Sequence, residues 1–481
     1  MSNKSNAELS RMTIAAMDMI CYSKEKIESR ADLMRRIIAE AEKTFKQSVP
    51  GFDLDFVLTG SKGDGIAKLF ESDIDVMIVL RKFLCLDNAR LENELNIIQI
   101  LSTDSPPGYT KLNPLDMECN SFGAVFLGFT SAYDLNRGQV FLSSTCARNL
   151  MELAYELFPL PYEGVHRQMK QQCGPSVPAS ISLNIFTITA WKFPATESDN
   201  VIALPYISSS ILDVWKKRNR KWPPPHLCQE VSETEGFVVP VGSSYSEEQN
   251  FEWRISFTKG ENILVSHFSS VQLKLYILLK MVFKKIVKPN CGMITSYIVK
   301  NILFWVAERN NLDMFTPDKL IDLLLQCLAF LRECLHSNFL PNYMIPSRNL
   351  LLGKGTPHDK IKLNRTLTDI LEDSDCVVMR LDTIRNSIRV IYQSPVSARQ
   401  YSEMRDDVEK LAILTNLIVC SKMSPALMQQ STFVYDLLFE FFKEPSFFGI
   451  LFSLFSLLNV DLSSFASNPG QLMELLYGLL S

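Results

Sequence analysis

No two cysteines of this chain stand in a CxxC arrangement, although its 481 residues hold 11 of them. Their number is odd and their positions run irregularly from Cys21 to Cys420, so neither a disulfide framework nor a zinc cage is written here. Reduced thiols in a cytosolic protein are the expectation. A secretory leader is missing as well, because MSNKSNAELSR has no apolar centre, and this predicts a cytoplasmic chain. The longest charge-free apolar run, Pro445 to Val460, is shorter than the ~20 residues that span a bilayer. Basic excess is also lacking: the net charge of -4 excludes a surface coated with positive charge, so any nucleic-acid contact has to use a local patch. What remains is an ordinary composition, 47% hydrophobic, long enough for two or three cores.

Between Met12 and Phe45 the apolar residues Ile14, Met17, Ile20, Ile27, Met34, Ile37 and Ile38 recur at helical spacing. Lys24, Lys26, Arg30, Arg35 and Arg36 lie among them, and the whole reads as one long amphipathic helix, straight or kinked. After Pro50 and Gly51 the period becomes two, with Leu54, Phe56 and Leu58 alternating against Asp53, Asp55 and Thr59. That strand runs into a loop, Gly60 to Glu71, and a second strand follows in which Ile74, Val76, Ile78 and Leu80 share one face. From about 120 to 260 the runs Phe122–Phe129, Ser180–Trp191, Gly236–Pro240 and Phe251–Phe257 read as further strands, together a mixed sheet. Beyond Ser270 the stripes Leu275, Leu278, Val282, Ile286 and Leu320, Leu324, Cys327, Leu331, Leu335 predict helices. Residues 351–395 read as a charged, partly ordered connector, and 400–481 as helices with apolar faces.

The sharpest local feature is Gly60-Ser61 followed by Asp73-Ile74-Asp75. On a strand, residues two apart share a face about 6.5 to 7 Å apart, so Asp73 and Asp75 project side by side and can hold divalent cations. A glycine–serine turn lets backbone N–H groups and a hydroxyl approach a polyphosphate closely. Phosphoryl transfer needs both parts, cations to neutralise charge and a loop to fix the triphosphate. Glu71 sits at the loop end of the strand, as a contributor or as an exposed charge.

These residues resemble the Mab-21-like family, which includes cyclic GMP-AMP synthase and the animal cyclic GMP-AMP synthase-like receptors. The resemblance runs from about Phe52 to Lys354. It also takes in Gly174-Pro175-Ser176, Gly236–Pro240, Trp253–Phe257, Ser296–Asn301 and Asn342–Pro346. It implies an α+β chain with a long N-terminal spine helix (1–50), a nucleotidyltransferase mixed-sheet core (51–265), a helical lobe (266–354), and a charged connector with extra C-terminal helices (355–481). It implies Mg²⁺ or Mn²⁺ at Asp73, Asp75 and a third position on the strand Ser182–Phe186, where this chain has Asn184. An amide oxygen can coordinate a cation but brings no charge, and two accounts are open: a natural asparagine in a weak or silent enzyme, or the replacement of an aspartate.

By the same resemblance Gly60, Ser61, Ser296 and Tyr297 bind nucleotide, Arg254 approaches bases and phosphates, and Lys280 contacts the nucleotide. Rival readings stand beside these: Tyr297 as core, Lys280 as a surface lysine lying along apolar neighbours, Arg254 as the partner of Glu252. The function implied is joining ATP and GTP into a cyclic dinucleotide messenger of innate immunity. The alternative, for which Asn184 speaks, is a catalytically silent fold that binds nucleotide or a protein. No zinc thumb is present, since only Cys291 stands ahead of Ser296 and His267 lies far upstream. The resemblance to relatives without the thumb implies double-stranded RNA or another nucleic acid as the candidate activator. Lys24, Arg35 and Arg36 on the spine, and Lys216 and Lys217 in the cluster Trp215–Trp222, are the candidate contacts.

Overall fold

The computed structural model describes residues 3–48, 53–68, 71–87, 96–102, 105–114, 121–135, 137–157, 165–169, 176–183, 196–208, 210–373 and 377–423, with positions 436, 440 and 443. The strands are β1 (Leu54–Thr59), β2 (Ile74–Leu80), β3 (Phe83–Leu86), β4 (Asn96–Leu101), β5 (Tyr109–Pro114) and β6 (Ser131–Asp134). They continue with β7 (Gln139–Leu142), β8 (Val165–Met169), β9 (Val177–Leu183), β10 (Thr196–Ile207), β11 (Gly236–Val239) and β12 (Glu252–Ser256). The helices are α1 (Asn3–Met19), α2 (Lys24–Ser48), the single turn α3 (Gly60–Gly63), α4 (Ser121–Thr130), α5 (Ser144–Leu157), α6 (Asp213–Lys217) and α7 (Pro225–Glu233). Then come α8 (Thr258–Ser266), α9 (Ser270–Val282), α10 (Ser296–Arg309), α11 (Leu320–His336), α12 (Pro357–Glu372), α13 (Asp382–Gln393) and α14 (Pro395–Met423). The α+β expectation therefore holds.

Two compact units share the chain. The first comprises Met1–Glu25, Ile78–Met151 and Val201–Pro395; the second comprises Lys26–Met77, Glu152–Asn200 and Val396–Ser481.

In the first unit six strands close on themselves. β10 pairs with β11, β11 with β12, β12 with β5 and β5 with β4, all antiparallel; β4 pairs parallel with β3, and β3 parallel with β10. The ring has no free edge, and one of its faces carries Phe83, Cys85, Ile98, Leu112, Leu204, Tyr206 and Val238, each buried. A mixed sheet was legible in the sequence, but its closure was not, because β3 and β10 lie far apart along the chain. The run Phe122–Phe129 is not a strand but the helix α4. Its apolar residues are consecutive, so neither period is marked.

The helices of the first unit stack around a buried aromatic group of Trp222, Phe268, Phe304 and Tyr343. The expected connector is also folded. Thr356 and Asp359 form a capping box at the start of α12, whose Leu363, Leu367 and Ile370 are buried one helical turn apart. α12 packs on α11 and α13 on α1, with Ile384 and Ile388 of α13 buried. Each such side chain is worth about 1.5–3 kcal/mol of burial, and the charged residues between them hide the stripe from a composition reading.

The expected single spine helix is two helices. α1 ends at Met19, Cys21 takes φ 69° and α2 begins at Lys24. In the second unit, Glu42 of α2 accepts the backbone N–H of Phe56 at 2.7 Å, and the Phe45 and Phe56 rings lie 5.8 Å apart, so α2 is fastened to β1. The apolar run Pro445–Val460 lies outside the described residues.

Candidate functional site

In the second unit the turn after β1 is pressed onto β2. Gly60 has φ +65°, and a Cβ built on it would stand 1.9 Å from Asp75 Oδ2 and 2.7 Å from Asp75 Cγ. Only glycine combines that backbone with that approach. Thr59 Oγ1 donates to the Asp75 carbonyl at 3.3 Å, and the Asp64 N–H donates to the Gly60 carbonyl at 3.1 Å, which closes the turn. Asp73 and Asp75 are both half-buried. Glu71 is engaged elsewhere: it accepts the Lys68 N–H at 3.1 Å and pairs with the Lys68 ammonium at 3.7 Å.

Lys62, 5% exposed, stands in the field of the two aspartates and of Glu409 on α14. Burial pushes its ammonium down to about 8 against the pull of Asp73, Glu409 and Asp75. Glu409 is itself buried, with Arg30 of α2 4.0 Å away. Nothing in the sequence pattern marks Lys62 or Glu409. Between about 8 and the ordinary 10.5, the unfolded chain keeps a proton that the folded chain has released, so stability rises with pH in that window. Measured against Lys62→Met, the unfolding free energy of the wild type is expected to gain roughly 3 kcal/mol across it in urea titrations. Parallel curves at both ends of the window would mean that this lysine carries no burial penalty.

Asn184 lies outside the described residues. The strand order is β1, β2, β10, so the strand bordering β2 is β10, whereas β9, which ends at Leu183, pairs with β8 and β10. β10 begins in the second unit and carries Asp199, half-buried, in register with Pro178 of β9. The oxygen-only donors Asp73 and Asp75 suit a hard cation such as Mg²⁺ or Mn²⁺. Among the described residues, no group of three or more His, Cys, Asp or Glu is gathered closely enough to hold a metal.

The first unit holds a second constellation. Tyr297, on the first turn of α10, donates from its hydroxyl to Glu261 Oε1 of α8 at 2.9 Å and accepts from Asn342 Nδ2 at 2.8 Å. The residue keeps 37% exposure, so it is not core, while its hydroxyl is held. Burial and the Glu261 carboxylate raise the phenol well above its usual range, which keeps it neutral and donating. Asn301 Oδ1 accepts from Asn342 Nδ2 at 3.2 Å and from the Tyr343 N–H at 2.7 Å. The blocks Ser296–Asn301 and Asn342–Pro346 thus brace one another and fix Tyr297. Ser296 is exposed beside it, behind the N-cap Thr295.

Arg254 on β12 is half-buried and does not pair with Glu252, whose carboxylate accepts the Ser243 N–H at 2.8 Å. Burial and the neighbouring Arg348 guanidinium pull Arg254 below its ordinary value. Lys280 lies 5.9 Å from the centre of the Tyr276 ring on its own helix. Glu261, Arg348 and Tyr109, which surround Arg254, are scattered single residues without a sequence signal.

Of the basic clusters, Trp215–Trp222 is largely internal. Both tryptophans are buried, Arg218 donates to Glu308 at 2.7 Å and lies 4.2 Å from the Trp305 ring centre, and Arg220 lies 4.5 Å from that of Trp215. The aromatic flanks are core. Lys216 and Lys217 are exposed, the latter 2.9 Å from Asp213. On α2, Arg35 is exposed, Arg36 pairs with Glu440 at 3.0 Å, and Lys24 at the helix start is half-buried. No described helix is long and apolar enough to cross a membrane.

Residues 273–369 match the family model described as the Mab-21 protein HhH/H2TH-like domain. The match begins in α9 and takes in α10, α11 and most of α12, so it runs past the 354 boundary read from sequence. Over 150 residues the chain is 24% identical to protein mab-21-like 3 of Danio rerio, across 30% of this chain and 38% of that protein. The chain therefore matches well under half the length of that relative.

Proposed function

We propose that this chain, which carries the C-terminal domain of the Mab-21 family, is a metal-dependent nucleotidyltransferase that joins nucleoside triphosphates into a cyclic dinucleotide. The observation that carries the reading is the contact of Gly60 with Asp75: a glycine–serine turn and an acidic strand, twelve or more residues apart in sequence, are locked against each other. Asp73 and Asp75 would hold Mg²⁺ or Mn²⁺. The cation would supply charge neutralisation for the oxygens of the transferring phosphoryl group. The chain's own part is to present the Gly60–Ser61 backbone to the triphosphate and to keep it still through the Thr59 and Asp64 bonds. In the first unit Tyr297 offers an exposed ring to a base, and Lys280 and Arg254 offer cations to phosphate. Activation by double-stranded RNA belongs to this reading through Lys24, Arg35, Lys216 and Lys217, of which Lys217 already pairs with Asp213, as Arg36 does with Glu440. An innate-immune role is the corresponding biological proposal.

A second reading, a silent nucleotide-binding module, is favoured by Lys62, whose buried ammonium already sits in the field of Asp73 and Asp75. Calorimetry with ATP, with and without Mg²⁺, separates the two. The enzyme reading expects at least tenfold tighter binding with Mg²⁺; equal affinity in both conditions supports the silent module.

A further inference from the structure

Arg254 and Arg348 are brought to one place without an acid to neutralise them. Arg254 stands opposite Tyr109 across the β5–β12 ladder, and the guanidinium carbon of Arg348 lies 5.3 Å from the centre of the Tyr109 ring. Among the described residues neither arginine has a carboxylate partner within ion-pair distance. The nearest acid in their field, Glu261, accepts the Tyr297 hydroxyl at 2.9 Å and lies 3.9 Å from the Lys300 ammonium. Two like charges held together without an anion cost energy, and burial together with the Arg348 charge lowers the proton affinity of Arg254.

The fold nevertheless fixes Arg348 firmly. Gly108 takes φ +81°, and a Cβ there would stand 2.5 Å from Arg348 Cδ, so the arginine stem lies flat on a glycine. The Arg348 N–H donates to the Ile345 carbonyl at 2.9 Å, and the Arg348 carbonyl accepts from the Asn342 N–H at 2.8 Å. Gly108 is itself held by its carbonyl, which accepts the Ile255 N–H at 2.9 Å, one residue beyond Arg254 on β12. The Arg348 stem is thus pre-positioned, and a ligand that binds its guanidinium has little to order there.

We propose that Arg254 and Arg348, gathered around Tyr109, form a clamp for the phosphate chain of a nucleotide. Guanidinium forks match phosphoryl oxygens in pairs, and a polyphosphate carries enough negative charge to cancel both. This deepens the nucleotidyltransferase reading by naming the residues that take the phosphates in the first unit. It does not need the carboxylates of the second.

The test is calorimetry on the full chain in EDTA with three probes: tripolyphosphate, ATP and adenosine. Tripolyphosphate and ATP are expected to bind and adenosine not to. Arg348→Met, which keeps the stem on Gly108, is expected to weaken both phosphate probes by about tenfold or more, and Arg254→Met likewise. Turnover of the same arginine variants with Mg²⁺ is measured beside it, so that loss of turnover and loss of the metal-free clamp are read separately. Should the arginine variants fail to fold, phenylglyoxal labelling of the wild type replaces them, with tripolyphosphate expected to protect Arg254 and Arg348 at least fivefold. No binding of tripolyphosphate, wild-type affinity in folded Arg348→Met, or unprotected arginines overturns the clamp; adenosine binding as tightly as ATP overturns the assignment to phosphate.

Discussion

Gly60→Val is expected to eliminate nucleotide turnover, by a thousandfold or more, while most of the chain stays folded. The position demands φ +65°, which a β-branched residue takes only at a cost of 1–2 kcal/mol or more, and the first added carbon falls 1.9 Å from a carboxylate oxygen. Either the turn unwinds or Asp75 swings away, and both take apart the same arrangement. Turnover of labelled ATP with GTP, together with a melting curve, checks this. A Gly60→Val protein that melts near the wild type and keeps its turnover would mean that the turn is only a connector.

Asp75→Asn is the second large effect. At an effective dielectric of ~20 and ~4 Å, one carboxylate charge against a divalent ion is worth about 8 kcal/mol before desolvation. If half of that survives, turnover falls about a thousandfold. Asn184→Asp, which adds a charge at the position that the family resemblance gives to a third carboxylate, is expected to raise turnover. An unchanged rate in Asn184→Asp would mean that residue 184 is no part of the metal site. The loss in Asp75→Asn is chemical rather than structural, because Asn keeps the size of the side chain and the Thr59 hydroxyl bonds to the backbone carbonyl of residue 75.

How much of this was legible depended on how local each signal was. β1 and β2 were readable because period-two alternation and the Asp73-Ile74-Asp75 spacing are properties of adjacent residues, and Gly60 needed only its place at a strand end. Which strand borders β2 was not legible, because strand adjacency is a long-range fact: β10 reaches β2 from far along the chain. The same holds for the closed ring, whose last pairing joins Tyr206 to Cys85. Lys62, Glu409 and Arg348 gave no signal, since a single charged residue in a loop or on a helix looks the same whether solvated or buried. The cluster Trp215–Trp222 misled for the opposite reason. Alternating aromatic and basic residues suggest a nucleic-acid surface, but Arg218 and Arg220 lie against aromatic rings and Glu308 inside the unit. Charge also concealed α12 and α13, whose buried stripes occupy only one position per turn.

The central claim is chemical and meets its most direct test in a product assay. Purified full-length chain is incubated with labelled ATP and GTP and Mg²⁺ or Mn²⁺, with and without double-stranded RNA, beside Asp75→Asn, and the products are separated by chromatography after phosphatase treatment. The account predicts a phosphatase-resistant cyclic dinucleotide that depends on the metal and is lost in Asp75→Asn. No such product with any nucleotide pair, or the same product from both proteins, would contradict it.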